Sequence, residues 1–302
     1  MKGAEEAPLV SVVIPAYNRA GLIGRAIDSV LHQTHGNLEL IVVDDASTDN
    51  TGEVVESIGD ARIRYIRCER NAGASAARNT GIAAAAGRFV AFLDSDDIWM
   101  PEKLAGQLAA IQACNEPDRA VCYTQVIVDS GSSRVVMPAT GKRYDEPVGD
   151  YVFGDKGLIH TSSLMLPRDL AQSTLFPVDQ RKHEDWDVFL RLEQQGVSWQ
   201  FVDRPLAVWH NEPREGRLTN LAHDLSLAWL ETHRSLLSNR AISGFMVKEV
   251  AAPLAGAEQR RAYVCWLAVR AVVYGALAPV QGMRLVARAL TTRRFRARLK
   301  RG

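Results

Sequence analysis

Between residues 10 and 94 the chain passes four times through one alternation. VSVVIP (Val10–Pro15), LELIVVD (Leu38–Asp44), IRYIR (Ile63–Arg67) and RFVAFLD (Arg88–Asp94) are short runs dominated by aliphatic and β-branched residues. A stretch of helical period follows each of them, at about 20–33, Thr48–Ser57, Ala74–Ala85 and Pro101–Ala113. Ser, Thr and Asp open the second helix, Gly87 closes the third, and Pro101 occupies the first turn of the fourth. Near-continuous apolar strands separated by helices predict a parallel sheet covered on both faces.

Past that region the pattern is less regular. Val121–Val128, Ser133–Pro138, Ser163–Pro167, Ser198–Val202 and Leu206–Trp209 read as strands, with a Gly/Pro/Asp-rich passage running to Gly157. Asp185–Gln195 reads as a helix closed by Gly196, and from about Leu218 the pattern is helical to the end. At 302 residues, 47% hydrophobic and 24% charged, the composition is that of a soluble globular chain with a sizeable core. It excludes a disordered, collagen-like or multi-span membrane protein. Cys68, Cys114, Cys122 and Cys265 form no CxxC pair, so reduced thiols are expected rather than a disulfide framework or zinc cage. The opening MKGAEEAPLV has two glutamates and no apolar h-region, so no secretory signal is expected and the body is expected in the cytoplasm.

The formal charge of +1 conceals an asymmetry. Residues 259–302 hold 11 Lys or Arg and no Asp or Glu, leaving 25 basic against 35 acidic residues before them. Because the basic residues are interleaved with apolar runs, an anionic membrane surface suits this arm better than nucleic acid does. Ala262–Val280 approaches the length of a membrane span but carries Arg270 at its centre and Pro279 near its end. An interfacial or core-docked helix is therefore expected, with Arg284 and Arg288 on one face and RRFRARLKRG as a cationic end. A helical cap packed on the body stands as the equal alternative.

In an open parallel sheet, ligands bind beyond the carboxyl ends of the strands, at a switch in strand order. Asp44 and Asp45 follow the second strand, and Asp94, Ser95, Asp96 and Asp97 follow the fourth. Carboxylates gathered at one edge repel each other. Either a hard cation such as Mg or Mn relieves them, with a phosphate completing its shell, or they cap turns and helix starts. No GxGxxG follows the first strand, no Walker loop occurs (Gly141-Lys142 precedes Arg143), and no GxSxG elbow is present. Metal-bridged phosphate chemistry without a Gly-rich cradle remains.

Together SVVIPAYNR, IVVDDAS, NAGASAARNTG, FLDSDDIW and HEDWDVFLRL resemble the family 2 inverting glycosyltransferases with the GT-A fold, over roughly Val10 to Trp209. The resemblance implies an α/β fold: a Rossmann-like, mostly parallel sheet flanked by helices, with a C-terminal helical extension. It implies a glycosyltransferase domain over residues 1–215, with a nucleotide-binding half at about 8–115 and an acceptor-side half at about 116–215, and the extension over 216–302. By position, Pro15, Ala16, Tyr17 and Arg19 would line the nucleotide pocket, and Asp44 would accept hydrogen bonds from the base. Arg78 would face the phosphates, Asp94 the ribose and Asp96 the metal, with Ser95 and Glu184 among the substrate-binding residues. Asp185 would be the catalytic base. His210 either completes the metal shell or is a hydrogen-bonded structural residue. Val208 stands where the family commonly has Arg, which removes one expected phosphate contact. Trp99 and Trp186 would either stack on a sugar or seal the core, and Arg70-Asn71 would open a loop over the nucleotide or form a simple turn.

Helical spacing points to Asp185 independently. Glu184, Asp187, Arg191 and Gln195 form a solvated stripe, whereas Asp185 shares its face with Phe189 and Leu192. A carboxylate there is either a first-turn cap or a group whose basicity is raised by desolvation. The expected activity is metal-dependent inverting transfer from a nucleotide-diphospho-sugar, a UDP-sugar in the first instance, to a hydroxyl acceptor. A lipid-linked glycan at the inner face of the membrane is the expected acceptor, within cell-surface polysaccharide or glycolipid synthesis. The rivals are a sugar-nucleotide nucleotidyltransferase, disfavoured because PAYNRAG supplies neither GxG nor Lys, and a non-catalytic sugar-nucleotide-binding scaffold.

Overall fold

The four apolar runs form β1 (Val10–Ala16), β2 (Leu38–Asp44), β3 (Ile63–Arg67) and β4 (Phe89–Phe92), joined by α1 (Ile23–Leu31), α2 (Thr51–Ser57) and α3 (Ala74–Ala84). The computed structural model describes residues 7–154, 157–212, 223–256 and 260–291. These fall into two compact units. One comprises the described residues up to Tyr144 and from Leu158 to Glu212; the other comprises 145–154, 157 and those from His223 onward.

After β4 the chain makes a two-residue strand, β5 (Ile98–Trp99), then α4 (Lys103–Gln112), β6 (Ala120–Asp129), β7 (Arg134–Met137) and α5 (Val148–Phe153). It continues through β8 (Met165–Pro167), α6 (Arg168–Ser173), α7 (Glu184–Gln194) and β9 (Ser198–His210). The sheet order is β3-β2-β1-β4-β8-β6-β9-β5, with β7 attached to β6. β1 to β4 are parallel neighbours and β6 runs parallel to β9, while β8 and β5 are antiparallel insertions. Succession runs outward from β1 to β2 and β3, then returns to β4 on the other side. The switch point thus lies between β1 and β4, the position where such sheets bind ligands.

Both faces are covered. Val12, Ile14, Leu40 and Val42 pack with Ile23 and Ile27 of α1 and with Leu104 and Leu108 of α4 in one buried cluster. On the opposite face α3 comes close to β1: a Cβ on Gly81 would lie 2.3 Å from Val13 Cγ1. That approach holds Arg78, one turn earlier on α3, against the carboxyl ends of the strands.

Three local readings differ from the structure. The second helix begins at Thr51 rather than Thr48, because Thr48–Asn50 form a turn tied by side chains. In it, Asn18 Oδ1 accepts from Thr48 N at 2.8 Å and Asp49 Oδ1 from Thr51 N at 3.0 Å. The two strands expected at 198–202 and 206–209 are one, β9; its register against β6 shifts around Gln125, where Pro205 sits. A bulge is where a strand tolerates a residue without an N–H. The last apolar stretch is broken by a turn at Tyr274–Ala278, with Gly275 at φ +71.

In the second unit, α5 is joined by α8 (His223–His233), α9 (Asn239–Met246), a π-helical turn at Val247–Ala251, α10 (Ala252–Gly256), α11 (Arg261–Val273) and α12 (Pro279–Leu290). Its centre is aromatic: Phe153 meets Phe245 edge-on at 5.3 Å, and Trp229 stacks on Phe245 at the same distance. The basic end RRFRARLKRG lies outside the described residues. Gly81→Val should lower the unfolding free energy by about 1–3 kcal/mol through overpacking against Val13. Denaturant titration checks this; unchanged stability would mean that α3 does not need its close approach.

Candidate active site

The carboxylates at the exits of β2 and β4 and at the start of α7 have different partners. Asp44 is fully buried. Its Oδ1 accepts from Ser47 N at 2.7 Å, and its Oδ2 accepts from the Tyr65 hydroxyl at 2.5 Å, with Arg67 at 3.7 Å. Burial and the Asp44 bond push the Tyr65 hydroxyl up to about 12, so it remains a donor. Asp45 turns the other way: its two oxygens accept from Ala72 N and Gly73 N at 2.8 and 2.7 Å. The sequence grouped it with the ligand-binding acids, but it fixes the loop that leads into α3.

Asp94, immediately past β4, receives Arg78 Nη2 at 2.7 Å. Arg78 is buried and reaches Glu184 at 3.5 Å with Nη1, so a single guanidinium ties β4 to the start of α7. Burial disfavours the Asp94 anion, but Arg78, His160 and Arg19 outweigh it and hold the carboxyl below its usual range. Phe176 lies 5.1 Å from the guanidinium and is held by paired hydrogen bonds to Asn79. Among the described residues, Arg78 Nε and Arg19 Nε are buried without a hydrogen-bond partner.

Asp97 is almost completely buried and takes the Ser162 hydroxyl at 2.6 Å and His210 N at 3.0 Å. Burial and the charges of Asp94 and Asp96 push its carboxyl well above the usual range. Asp94, Asp97 and His160 each offer a ligand atom, and these atoms lie within 4.8 Å of one another. His160 was not singled out in the sequence; it comes from the irregular passage before β8 and stacks on Trp209 at 4.6 Å. Asp96 is partly buried, and its carbonyl accepts from Arg25 at 2.5 Å. Burial lowers the His210 ring, to which Arg25 adds; Asp129, Glu212 and Asp96 act in the opposite sense.

Trp99 lies in the core at 3% exposure, with its indole N–H donating to Ser162 O at 2.7 Å. It braces the turn that carries His160 and Ser162, so its ring seals the core rather than offering a stacking face. Trp186 is half-buried and stacks on His183 at 4.2 Å. Tyr17 is exposed at the end of β1, while Pro15, Ala16 and Ser95 are buried. Arg19 Nη1 donates to the carbonyls of Tyr17 and Asn18 at 3.2 Å.

Asp185 is the second residue of α7. Its Oδ1 accepts the backbone N–H of Trp186 at 2.9 Å, and its own backbone N–H adds a weaker contribution. Burial, reinforced by Glu184, pushes its carboxyl up to about 7, against smaller opposing effects that include Arg78. His183, in the left-handed region at φ +66, sets the turn from which Glu184 and Asp185 enter the helix. Sequence alone gave no signal for that conformation.

A sheet covered on both faces, with acids bridged by Arg78 at its switch point, is an α/β fold of the GT-A type. The fold agrees with TarS residues 1–349 from S. aureus, solved with UDP-GlcNAc, at a TM-score of 0.64 and 18% identity over 92% of this chain and 83% of that one. The sequence profile of Glycosyl transferase family 2 matches residues 11–171, and the chain belongs to that family. It is 34% identical to the amylovoran biosynthesis glycosyltransferase AmsB of Erwinia amylovora over 240 residues, 77% of this chain and 80% of AmsB. It is 50% identical over 101 residues to the Escherichia coli UDP-Glc:α-D-GlcNAc-diphosphoundecaprenol β-1,3-glucosyltransferase WfgD, covering 33% of this chain and 40% of WfgD. The chain is therefore a glycosyltransferase, and its named relatives include an enzyme of polysaccharide biosynthesis.

Asp45→Ala should cost about 2–4 kcal/mol, because two backbone N–H groups lose their acceptor. Hydrogen exchange should accelerate at Ala72 and Gly73 before it does so in β1. Protection unchanged at those two amides would show that the loop has another anchor.

Proposed function

We propose that this glycosyltransferase is a metal-dependent, inverting enzyme that moves a sugar from a UDP-sugar to a hydroxyl of a lipid-linked glycan at the inner face of the membrane. The observation that carries the reading is the contrast between two carboxylates in the field of Arg78, which binds Asp94 directly and reaches Glu184, the neighbour of Asp185. Asp94 is held ionised, whereas Asp185 is pushed up to about 7. A group with that basicity near neutral pH suits a general base. The nucleotide and the acceptor rest on WfgD, named for a UDP-sugar and a diphosphoundecaprenol acceptor, and on the UDP-GlcNAc in TarS. We assign the glycosyltransferase domain to residues 1–215 and the helical extension to 216–302, with α5 and its flanks from the first span packing in the extension's unit.

In this reading Tyr17 and Arg19 contact the nucleotide beside Pro15 and Ala16. Asp44, whose carboxylate is fully buried and held by Ser47 N and the Tyr65 hydroxyl, supports that end of the site rather than accepting from the base directly. Asp94 and Ser95 face the ribose. The buried Nε–H groups of Arg19 and Arg78 have no protein acceptor among the described residues, which suits an anionic diphosphate. Glu184 orients Arg78.

The residues fit a divalent cation. Asp97 is buried beside two other acids, and a positive charge would relieve that repulsion. Two carboxylates and an imidazole suit Mn or Mg. Asp94, Asp97 and His160 would hold it on geometry, with Asp96 and His210 the ligands implied by family position. The ion would supply neutralisation of the charge gathering on the departing diphosphate. Asp185 takes the proton from the acceptor hydroxyl as that oxygen bonds to the anomeric carbon. The bond to the diphosphate breaks with its electron pair leaving on the phosphate oxygen, and one displacement inverts the centre.

Asp185→Asn should lower turnover about 10²–10⁴-fold, read as UDP release in the presence of acceptor. Near-normal turnover would remove Asp185 from the role. Because the base must be ionised, kcat/KM should fall as pH drops through about 7. Arg78 lowers the Asp185 pKa, so Arg78→Met should move that limb to higher pH; a limb that stays in place would uncouple the two. Chelation should abolish transfer and Mn²⁺ or Mg²⁺ should restore it. Full activity in chelator would overturn the metal dependence.

A further inference from the structure

The outward side of α11 is apolar where a surface helix is ordinarily polar. Tyr263, Trp266, Val269 and Val273 follow the i, i+3, i+6, i+10 course of one face and are 37%, 53%, 58% and 74% exposed. The opposite side of the same helix is buried through Val264, Leu267, Ala268 and Ala271. Its contact with α12 is tight: a Cβ on Gly282 would lie 2.4 Å from Val272 Cγ2. The exposed stripe is therefore left over after α11 has packed within its own unit. α12 adds Val280 and Met283, 52% and 63% exposed.

Charge narrows what can cover such a face. Residues 260–291 contain Arg260, Arg261, Arg270, Arg284 and Arg288 and no Asp or Glu. Arg270 lies within the stripe, its guanidinium 5.5 Å from the Trp266 ring and 5.6 Å from the Tyr274 ring. Such a side chain rests its stem on apolar surface and presents its charge at a polar boundary. A second copy would set arginine against arginine, and the arm's own end, RRFRARLKRG, repeats the same sign. An anionic lipid surface complements both features: hydrocarbon for Trp266, Val269 and Val273, and phosphate headgroups for the arginines. The exposed rings of Tyr263, Trp266 and Tyr274 match the preference of Trp and Tyr for the interface. The 13 residues of α11 rise about 20 Å, short of the roughly 30 Å hydrocarbon core, and among the described residues no helix is long and apolar enough to cross a membrane. α11 would lie along the surface.

We propose that the outer face of α11, with the arginines of α11 and α12, docks this protein on an anionic bilayer. The inference rests on the membrane-linked acceptor proposed above and names the surface that would meet the membrane. The test is flotation of the purified full chain with phosphatidylcholine vesicles containing about one third phosphatidylglycerol, and with phosphatidylcholine alone. The chain should float with the anionic vesicles, float poorly with the neutral ones, and detach at high salt. A Trp266→Ser, Val269→Ser, Val273→Ser variant should partition about tenfold or more weakly, since three exposed apolar groups no longer enter the interface. Arg284→Gln with Arg288→Gln provides a second variant and should flatten the salt dependence.

Absence of flotation with anionic vesicles would overturn the proposal. So would flotation unchanged in the triple variant, or a dimer in sedimentation velocity that the triple variant dissolves. Binding of UDP with Mn²⁺, measured on the same samples by calorimetry, should be equal in wild type and variants. Its absence from wild type would strike the proposed chemistry while leaving the docking result intact.

Discussion

Like charges crowded at the edge of a sheet have to be compensated one by one, and the manner of compensation sorts these carboxylates into roles. Asp45 is satisfied by two backbone N–H groups and becomes a loop anchor. Asp44 is satisfied by Ser47 N and the Tyr65 hydroxyl at the end of β2. Asp94 receives the Arg78 guanidinium. Asp97 takes the Ser162 hydroxyl and His210 N–H, with His160 Nδ1 at 3.7 Å, against two acidic neighbours, an imbalance that a divalent ion would correct. Asp185 gains least. Burial and Glu184 outweigh the Trp186 N–H and Arg78, which leaves its carboxyl near 7.

Arg78 joins these differences into one device. It is carried by α3, whose distance from the sheet depends on the missing side chain at Gly81. It touches Asp94 from β4 and Glu184 from α7, two elements separated by much of the chain. The strength of such a buried cation between two acids comes from exclusion of water, and so does its cost when one partner is removed. A short strand exit and a helix start are thereby tied together through one guanidinium.

Much of this arrangement was legible in the chain before folding. Buried parallel strands are apolar on both faces, so β1, β2 and β4 declared themselves as near-continuous apolar runs, while β3 at the sheet edge kept two arginines among its apolar residues. The acids at the ends of β2 and β4 followed from the rule for open sheets. Asp185 stood out because its helical face also carries Phe189 and Leu192. Features that depend on tertiary partners were not visible. β5 is two residues long and exists only because β9 lies beside it. His160 belongs to no periodic segment and meets the acids through the turn at Thr161–Ser163, which Trp99 braces. Asp45 looked equivalent to Asp44, and only the path of the following loop separates them. In the arm, composition announced apolar and basic character, but which side of α11 would remain uncovered depended on how it packs against its neighbours.

The central claim is that a diphosphate held between the arginines and acids of the switch point directs its sugar toward Asp185. The most direct measurement is a crystal structure of the full chain with an intact, non-hydrolysable UDP-sugar analogue and Mn²⁺, the ion located by its anomalous signal. The account predicts an anomalous peak among the acids that follow β4, diphosphate oxygens reaching it, and the Asp185 carboxylate facing the anomeric carbon from the side opposite the diphosphate. A diphosphate bound elsewhere, or Asp185 on the same side of the sugar as its leaving group, would contradict it.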